Sequence, residues 1–428
     1  MALWFARSRL LLGLAEMTTA IGWARPSTAL AVASAVMPPL TTIAPLGLTI
    51  VLPVAAVAAL ALGGYRDLPR LRSLLPLLAM LAIAGALGLA SALWSIVPEH
   101  SLATALRFIG LALCGLALCA VALGLEAPER ERVRRALLLG VLVALLILAV
   151  AAAARLVLPA PEEGEFASWL RHYTRFNRGT TTLALAIWPA VLALGGAGRP
   201  ARAVLLLAGA FLVLLGLADQ SAKIAVGLGI AVWTVARYFP RLSAAAMGAG
   251  LAALVVLLPL APLAPPQIVR IHEAVPAMKI SGLHRLAIWH FASERIAERP
   301  LLGWGLDASR AIPGGSDRIA DPDLRGLLAS GALWMPLHPH SAALQWRLEL
   351  GWPGVAILTL LVWWCLRRAS TAPTPAQRST ALALTASALV VAMLSYGFWQ
   401  EWWQSSLWLV AAASLTVLRP EAGDRRSA

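Results

Sequence analysis

Residues 136–158 read ALLLGVLVALLILAVAAAARLVL, an apolar run whose one charged residue, Arg155, falls near its end. About 20 such residues in a helix span the ~30 Å hydrocarbon core of a bilayer, and a helix satisfies every backbone N–H and C=O within the segment. Comparable stretches lie near 27–43, 46–62, 74–94, 102–124, 180–197, 203–218, 222–236, 243–263, 351–366, 379–396 and 403–418, making twelve. The 428-residue chain is 60% hydrophobic and 13% charged, whereas soluble domains carry about 25% charged residues. An all-α, polytopic transmembrane helical bundle of about 12 TM helices is therefore predicted, and a soluble globule is excluded. The three cysteines, Cys114, Cys119 and Cys365, sit inside apolar stretches, which argues against a disulfide framework or a metal cluster.

A net charge of +14 raises the question of nucleic acid, but the placement of the cations answers it. Arg66, Arg70 and Arg72, then Arg130, Arg132, Arg134 and Arg135, then Arg199, Arg202, Arg237 and Arg241, then Arg367, Arg368 and Arg378 all fall on one side of the alternating spans. Cytoplasmic loops collect Lys and Arg in this way. The pattern places both termini in the cytoplasm, with Trp94, Trp352, Trp402 and Trp403 at the outer helix ends. Residues 1–26, with Arg7, Arg9 and Glu16 interrupting an apolar run, read as an interfacial N-terminal helix. Spans 1–9 then occupy 27–263 and spans 10–12 occupy 351–418, followed by a cytoplasmic tail, 419–428.

The cations left on the other face are the informative ones. Arg171, Arg175, Arg178 and Lys223 lie there, with more between Arg270 and Arg347, as do the seven histidines. Positive charge where topology does not require it suggests an anionic ligand at the outer leaflet. The segment 264–350 is far longer than an ordinary connection and is therefore a functional candidate. Within it, residues 281–299 read as a helix closed by Pro300 and the turn Gly303-Trp304-Gly305. Arg285 and Trp289, four apart, share a face, where an indole and a guanidinium could rest at the membrane surface and reach a phosphate. Asp321-Pro322-Asp323 imitates a metal-binding Asp-x-Asp pair, but a proline in a polar loop favours a plain turn, and no third ligand accompanies His338 and His340 at a zinc spacing.

Four pieces of the sequence carry a resemblance. His338-Pro339-His340-Ser341, followed by Leu344-Gln345, Glu349, Gly351 and Gly354, is similar to the motif of the O-antigen ligase and polymerase superfamily, with Ser341 where that family usually has Asn. Gly282-Leu283-His284-Arg285 with Trp289, Leu93-Trp94-Ser95 with Pro98 and Ser101, and Asp219-Gln220-Ser221-Ala222-Lys223 also resemble it. In the last of these the family commonly has Ser-Arg, so Lys223 departs from the pattern, offering a point charge in place of a fork. The resemblance implies a GT-C-like enzyme of the bacterial inner membrane with a large periplasmic loop and a periplasmic active site. By this likeness it would ligate O-antigen from undecaprenyl diphosphate onto the lipid A-core oligosaccharide.

A lipid diphosphate is already a good leaving group. The enzyme must therefore stabilise the departing charge, a task for Arg and Lys, and deprotonate an acceptor hydroxyl, a task for neutral His. His338 is the expected base, with His340 orienting it or substituting for it. Arg285, Lys223, Arg178 and Arg175 are the candidate diphosphate ligands, and Trp289, Gln345 and Glu349 support the motif. No cofactor or metal is expected. The partners are the undecaprenyl-diphosphate-linked glycan, the lipid A-core acceptor and membrane lipids, without nucleic acid. A polysaccharide polymerase or protein O-oligosaccharyltransferase shares the pattern. A lipid-linked glycan flippase is the reading from another class, and it would place its charges near the bilayer midplane.

Overall fold

The computed structural model describes residues 25–157, 175–260, 263–329 and 331–418, and within those residues each of the twelve apolar stretches contains a helix. In chain order the helices are Pro26–Ile43 (α1), Leu48–Ala61 (α2), Leu75–Ser91 (α3), Pro98–Gly124 (α4), Ala127–Val157 (α5), Asn177–Gly196 (α6), Pro200–Leu215 (α7), Gln220–Ala236 (α8), Pro240–Leu257 (α9), Pro265–Ala274 (α10), Ile280–Glu298 (α11), Pro322–Arg325 (α12), Ala342–Ser370 (α13), Pro375–Leu394 (α14) and Glu401–Val417 (α15). Proline opens α1, α7, α9, α10 and α14, where its missing N–H costs nothing because the first turn has no partner for it. The N-terminal helix expected before Arg25 and the tail 419–428 lie outside the described residues.

Among the described residues seven helices are long and apolar enough to cross a membrane, and α7, α8 and the stretch Pro45–Ala61 are shorter apolar helices. The difference from twelve is one of length and polarity. At 1.5 Å per residue the shorter helices reach only ~21–26 Å, less than the hydrocarbon core. Helix α15 has 17 residues and carries Glu401 in its first turn.

The chain divides into two compact units. One comprises residues 1–74, 111–218 and 405–428, the other 75–110 and 219–404. In the first, α1 packs against α2, α5 and α6, burying Leu30, Met37, Leu137, Leu148 and Trp188. Arg25 and Ser27 at the start of α1 reach Glu129 on α5, Ser27 by a hydrogen bond of 3.2 Å.

In the second unit α8 packs on α14, and α13 on α3, α9 and α14, around Phe108, Trp346, Leu350, Val355 and Trp399. The segment between α9 and α13 is anchored by its own apolar residues. Ile288, Phe291, Ile296, Trp304, Ile312 and Met335 form a core with Leu344 and Leu348 of α13. Leu283, Ala287, Ile288, Phe291, Ala292 and Ile296 of α11 recur at helical spacing and are all buried, so this helix packs into protein along its apolar face.

Helix α13 begins two residues after His340 and breaks once, at Gly351 (φ 61°, ψ −149°). Any side chain there would drive its Cβ into the Leu301 carbonyl, and the left-handed φ also favours glycine. Pro353 follows. The break leaves a buried stretch from Ala342 to Leu350 that carries Gln345, Trp346 and Glu349.

Candidate active site

His338, Pro339 and His340 form a tight turn before α13. His340 has φ +55°, a conformation costly for a residue with a Cβ, and its N–H donates to Nδ1 of His338 at 3.2 Å. The two rings lie 4.3 Å apart. The indole N–H of Trp289 on α11 donates to the Pro339 carbonyl at 2.8 Å. Trp289 therefore reaches the histidine turn from α11.

The loop between α14 and α15 closes the other side. Gly397 N–H donates to His338 Nε2 at 3.0 Å, and Gln400 Nε2 lies 3.3 Å from the same nitrogen. The Gln400 amide is oriented by Trp402, whose indole N–H donates to its Oε1 at 2.9 Å. Position 397 admits only glycine without movement, since a Cβ would stand 2.8 Å from His338 Cδ2. His340 Nδ1 is hydrogen-bonded to the carbonyl oxygen of Ser395. A carbonyl can only accept, so Nδ1 carries the proton and Nε2 holds the lone pair.

The two histidines are therefore unlike. His338 is buried (6% exposed), and N–H donors face both of its ring nitrogens, although a neutral imidazole can accept at one only. His340 is half-buried, and its Nε2 makes none of these bonds. Burial pushes the His338 pKa down to about 3, with His340, Arg285 and Arg310 adding repulsion. Burial likewise lowers His340 to about 4, opposed by the Ser395 carbonyl and assisted by Arg285 and His284. Both rings are neutral at neutral pH.

Arg285 supplies the positive side of the site. Burial lowers its pKa, and the attraction of Asp219 and Tyr396 opposes that. Asp219 caps α8, accepting from Ser221 and Ala222 N–H at 3.1 and 3.3 Å and from the Ser221 hydroxyl at 2.6 Å. The Ser221 hydroxyl also meets the Ser395 hydroxyl at 2.5 Å. The start of α8, with Lys223 one turn after Asp219, is thus tied to the loop that holds His340. Asp321 uses its carboxylate to cap α12, accepting from Asp323 N–H at 2.9 Å, as a plain turn requires.

Of the residues singled out in the sequence, Arg285, Trp289, His338, His340, Gln345 and Glu349 are brought together in the second unit, with Lys223 on the adjoining helix. Arg175 and Arg178 lie at the start of α6, in the first unit. Sequence reasoning missed Ser395, Gly397 and Gln400, which sit in an uncharged connection between apolar helices and carry no chemical signal. It also missed Arg310, one exposed cation among several in its segment.

Fold and site together define a polytopic helical membrane protein that carries a neutral histidine pair and a half-buried guanidinium. Residues 203–359 match the family model described as O-antigen ligase. A Rickettsia conorii protein named "Putative polysaccharide ligase" is 29% identical over 339 residues, covering 76% of each chain. A Rickettsia felis protein of the same description is 27% identical over 333 residues, covering 76% of this chain and 77% of its own. A Rickettsia bellii relative reaches 34% over 140 residues, 32% of this chain and 33% of its own. These likenesses support an O-antigen ligase family member, and the region that matches the family model, 203–359, contains Lys223, Arg285, both site histidines and Glu349.

Proposed function

We propose that this chain transfers a polysaccharide from undecaprenyl diphosphate to the lipid A-core oligosaccharide at the periplasmic face of the inner membrane, with His340 as the base. The observation that carries this reading is the asymmetry of the histidine pair. His340 has one nitrogen held by the Ser395 carbonyl and the other available, whereas His338 faces backbone donors at both. In the reaction the acceptor hydroxyl oxygen bonds to the anomeric carbon, and the bond from that carbon to the diphosphate breaks. The hydroxyl proton passes to His340 Nε2, and the diphosphate leaves with its electron pair, stabilised by Arg285 and Lys223.

A base with a pKa near 4 is weak, and the donor itself corrects this. Arg285 is one cause of the depression, so a diphosphate placed on Arg285 replaces repulsion by attraction and raises the affinity of His340 for a proton. His338 then serves to hold the turn, and the sequence-level preference for it as the base gives way to His340 on hydrogen bonding. The cations can neutralise a diphosphate without a metal. The arginine bias of the loops supports cytoplasmic termini and a periplasmic site.

The test is transfer by purified, detergent-solubilised protein from a polyprenyl-diphosphate oligosaccharide, with chelator present and with either a lipid A-core acceptor or a second donor molecule. Transfer to the lipid A-core that chelator leaves unchanged is expected. Elongation of the donor alone would instead indicate a polymerase, and donor binding with translocation but no transfer would indicate a flippase.

A further inference from the structure

Eleven residues after His338, Glu349 is fully buried, and its carboxylate binds no cation in the bonds that fix it. Instead each oxygen accepts two hydrogen bonds from neutral donors. Oε1 takes the Ser309 hydroxyl at 2.5 Å and Gln345 Nε2 at 3.1 Å. Oε2 takes Asp307 N–H at 2.7 Å and the Trp399 indole N–H at 2.5 Å. These donors come from the turn after Gly305, from the helix before the Gly351 break, and from the loop between α14 and α15. A buried carboxyl group is costly unless its oxygens are hydrogen-bonded, and these four donors together meet that requirement.

The consequence reaches the histidines through one loop. With Gln345 Nε2 directed to Glu349, its Oε1 accepts Phe398 N–H at 2.8 Å. Phe398 and Trp399 are thereby fixed, and the same loop supplies Gly397 N–H to His338 and the Ser395 carbonyl to His340. We infer that Glu349 is a positioning residue for the transfer reaction: through Gln345 and Trp399 it holds the Ser395–Gln400 loop, and hence the histidine pair, in register. This rests on the proposed reaction.

Glu349→Gln is informative because the shapes match and the donors do not. The amide that replaces the carboxylate must turn its NH2 toward one pair of donors. Asp307 N–H and Trp399 N–H cannot reverse, so the NH2 faces Ser309 and Gln345. Ser309 can turn its hydroxyl and accept, but Gln345 can accept only by flipping, which withdraws its Oε1 from Phe398. The loop is released while the fold's apolar contacts remain.

The experiment compares Glu349→Gln and Trp399→Phe with wild type in kcat, donor KM, melting temperature and hydrogen exchange at the Gly397 and Phe398 amides. Expected for Glu349→Gln are a kcat loss of about tenfold or more, donor KM within about twofold, and faster exchange at both amides. Trp399→Phe leaves three donors on the carboxylate and is expected to lose kcat by a smaller factor with KM unchanged, which decides the matter if Glu349→Gln does not fold. Wild-type kcat in the folded variants overturns the inference. So does a parallel fall of kcat, binding and melting temperature in both, which marks a purely structural residue. His340→Ala run alongside separates the claims: full turnover there removes the base, whereas full turnover in Glu349→Gln with His340→Ala inactive removes only the positioning role.

Discussion

Gly397→Ala places one methyl group against the face of His338. The new Cβ would stand 2.8 Å from Cδ2 and 2.9 Å from Cγ of that ring, where carbon atoms ordinarily rest ~3.5–4.0 Å apart, so ring or loop must yield by roughly 0.6–1.2 Å. His338 is held by His340 N–H and packed on its neighbour's ring, and the loop is held at Ser395 and Phe398. Either movement therefore disturbs His340. Overpacking of this kind costs about 1–3 kcal/mol of stability, and a misplacement near 1 Å costs up to about 100-fold in rate. The expected result is a folded protein with transfer reduced about 10- to 100-fold and donor binding near wild type. Initial rates of glycan transfer, with thermal melting and donor binding measured on the same preparation, supply the three numbers. Turnover within about twofold of wild type in a folded variant would refute the claim that the loop's position on His338 matters to the chemistry.

Four further outcomes follow from the same geometry. Because His340 titrates near 4 in the free protein, kcat/KM for the donor should stay flat from pH 8 to about 5 and fall only below that; an acid limb near 6.5 would contradict this. Stability has the corresponding sign: the unfolded chain binds protons at histidine below about 6.5 while the native state does not until about 4 and 3, so melting temperature should decline as pH falls through that interval. Trp289→Phe removes the bond to the Pro339 carbonyl, worth about 1 kcal/mol, and should slow transfer several-fold without abolishing donor binding. Arg285→Lys should raise donor KM markedly, since an ammonium cannot reproduce the guanidinium's bidentate grip on phosphate oxygens; donor titrations at fixed salt would show it.

The apolar runs announced every one of the twelve helices, because in lipid hydrophobicity and helix formation are enforced by the same requirement on backbone hydrogen bonds. Whether each helix spans was less legible: α7 and α8 are flanked by short turns at Arg199 and Asp219 that cut their length, and α15 starts on a glutamate. In the site, Arg285, Trp289, His338, His340 and Glu349 stood out by residue type and spacing. Their partners did not. Ser395, Gly397 and Gln400 act through backbone groups and an amide, chemistry that any residue or many residues can supply, so nothing in their identity marks them. The surroundings of Trp289 were hidden for a related reason, since an indole on a helix face has the same pattern whether it meets lipid or a carbonyl fifty residues away.

Single-turnover transfer with preloaded donor reports whether His340 accepts the acceptor's proton. His340→Ala should lower that rate about 100-fold or more with donor still bound, while His338→Ala, which removes a ring engaged with the backbone, should retain a readily measured rate. Wild-type transfer by His340→Ala, with His338→Ala inactive, would return the base to His338.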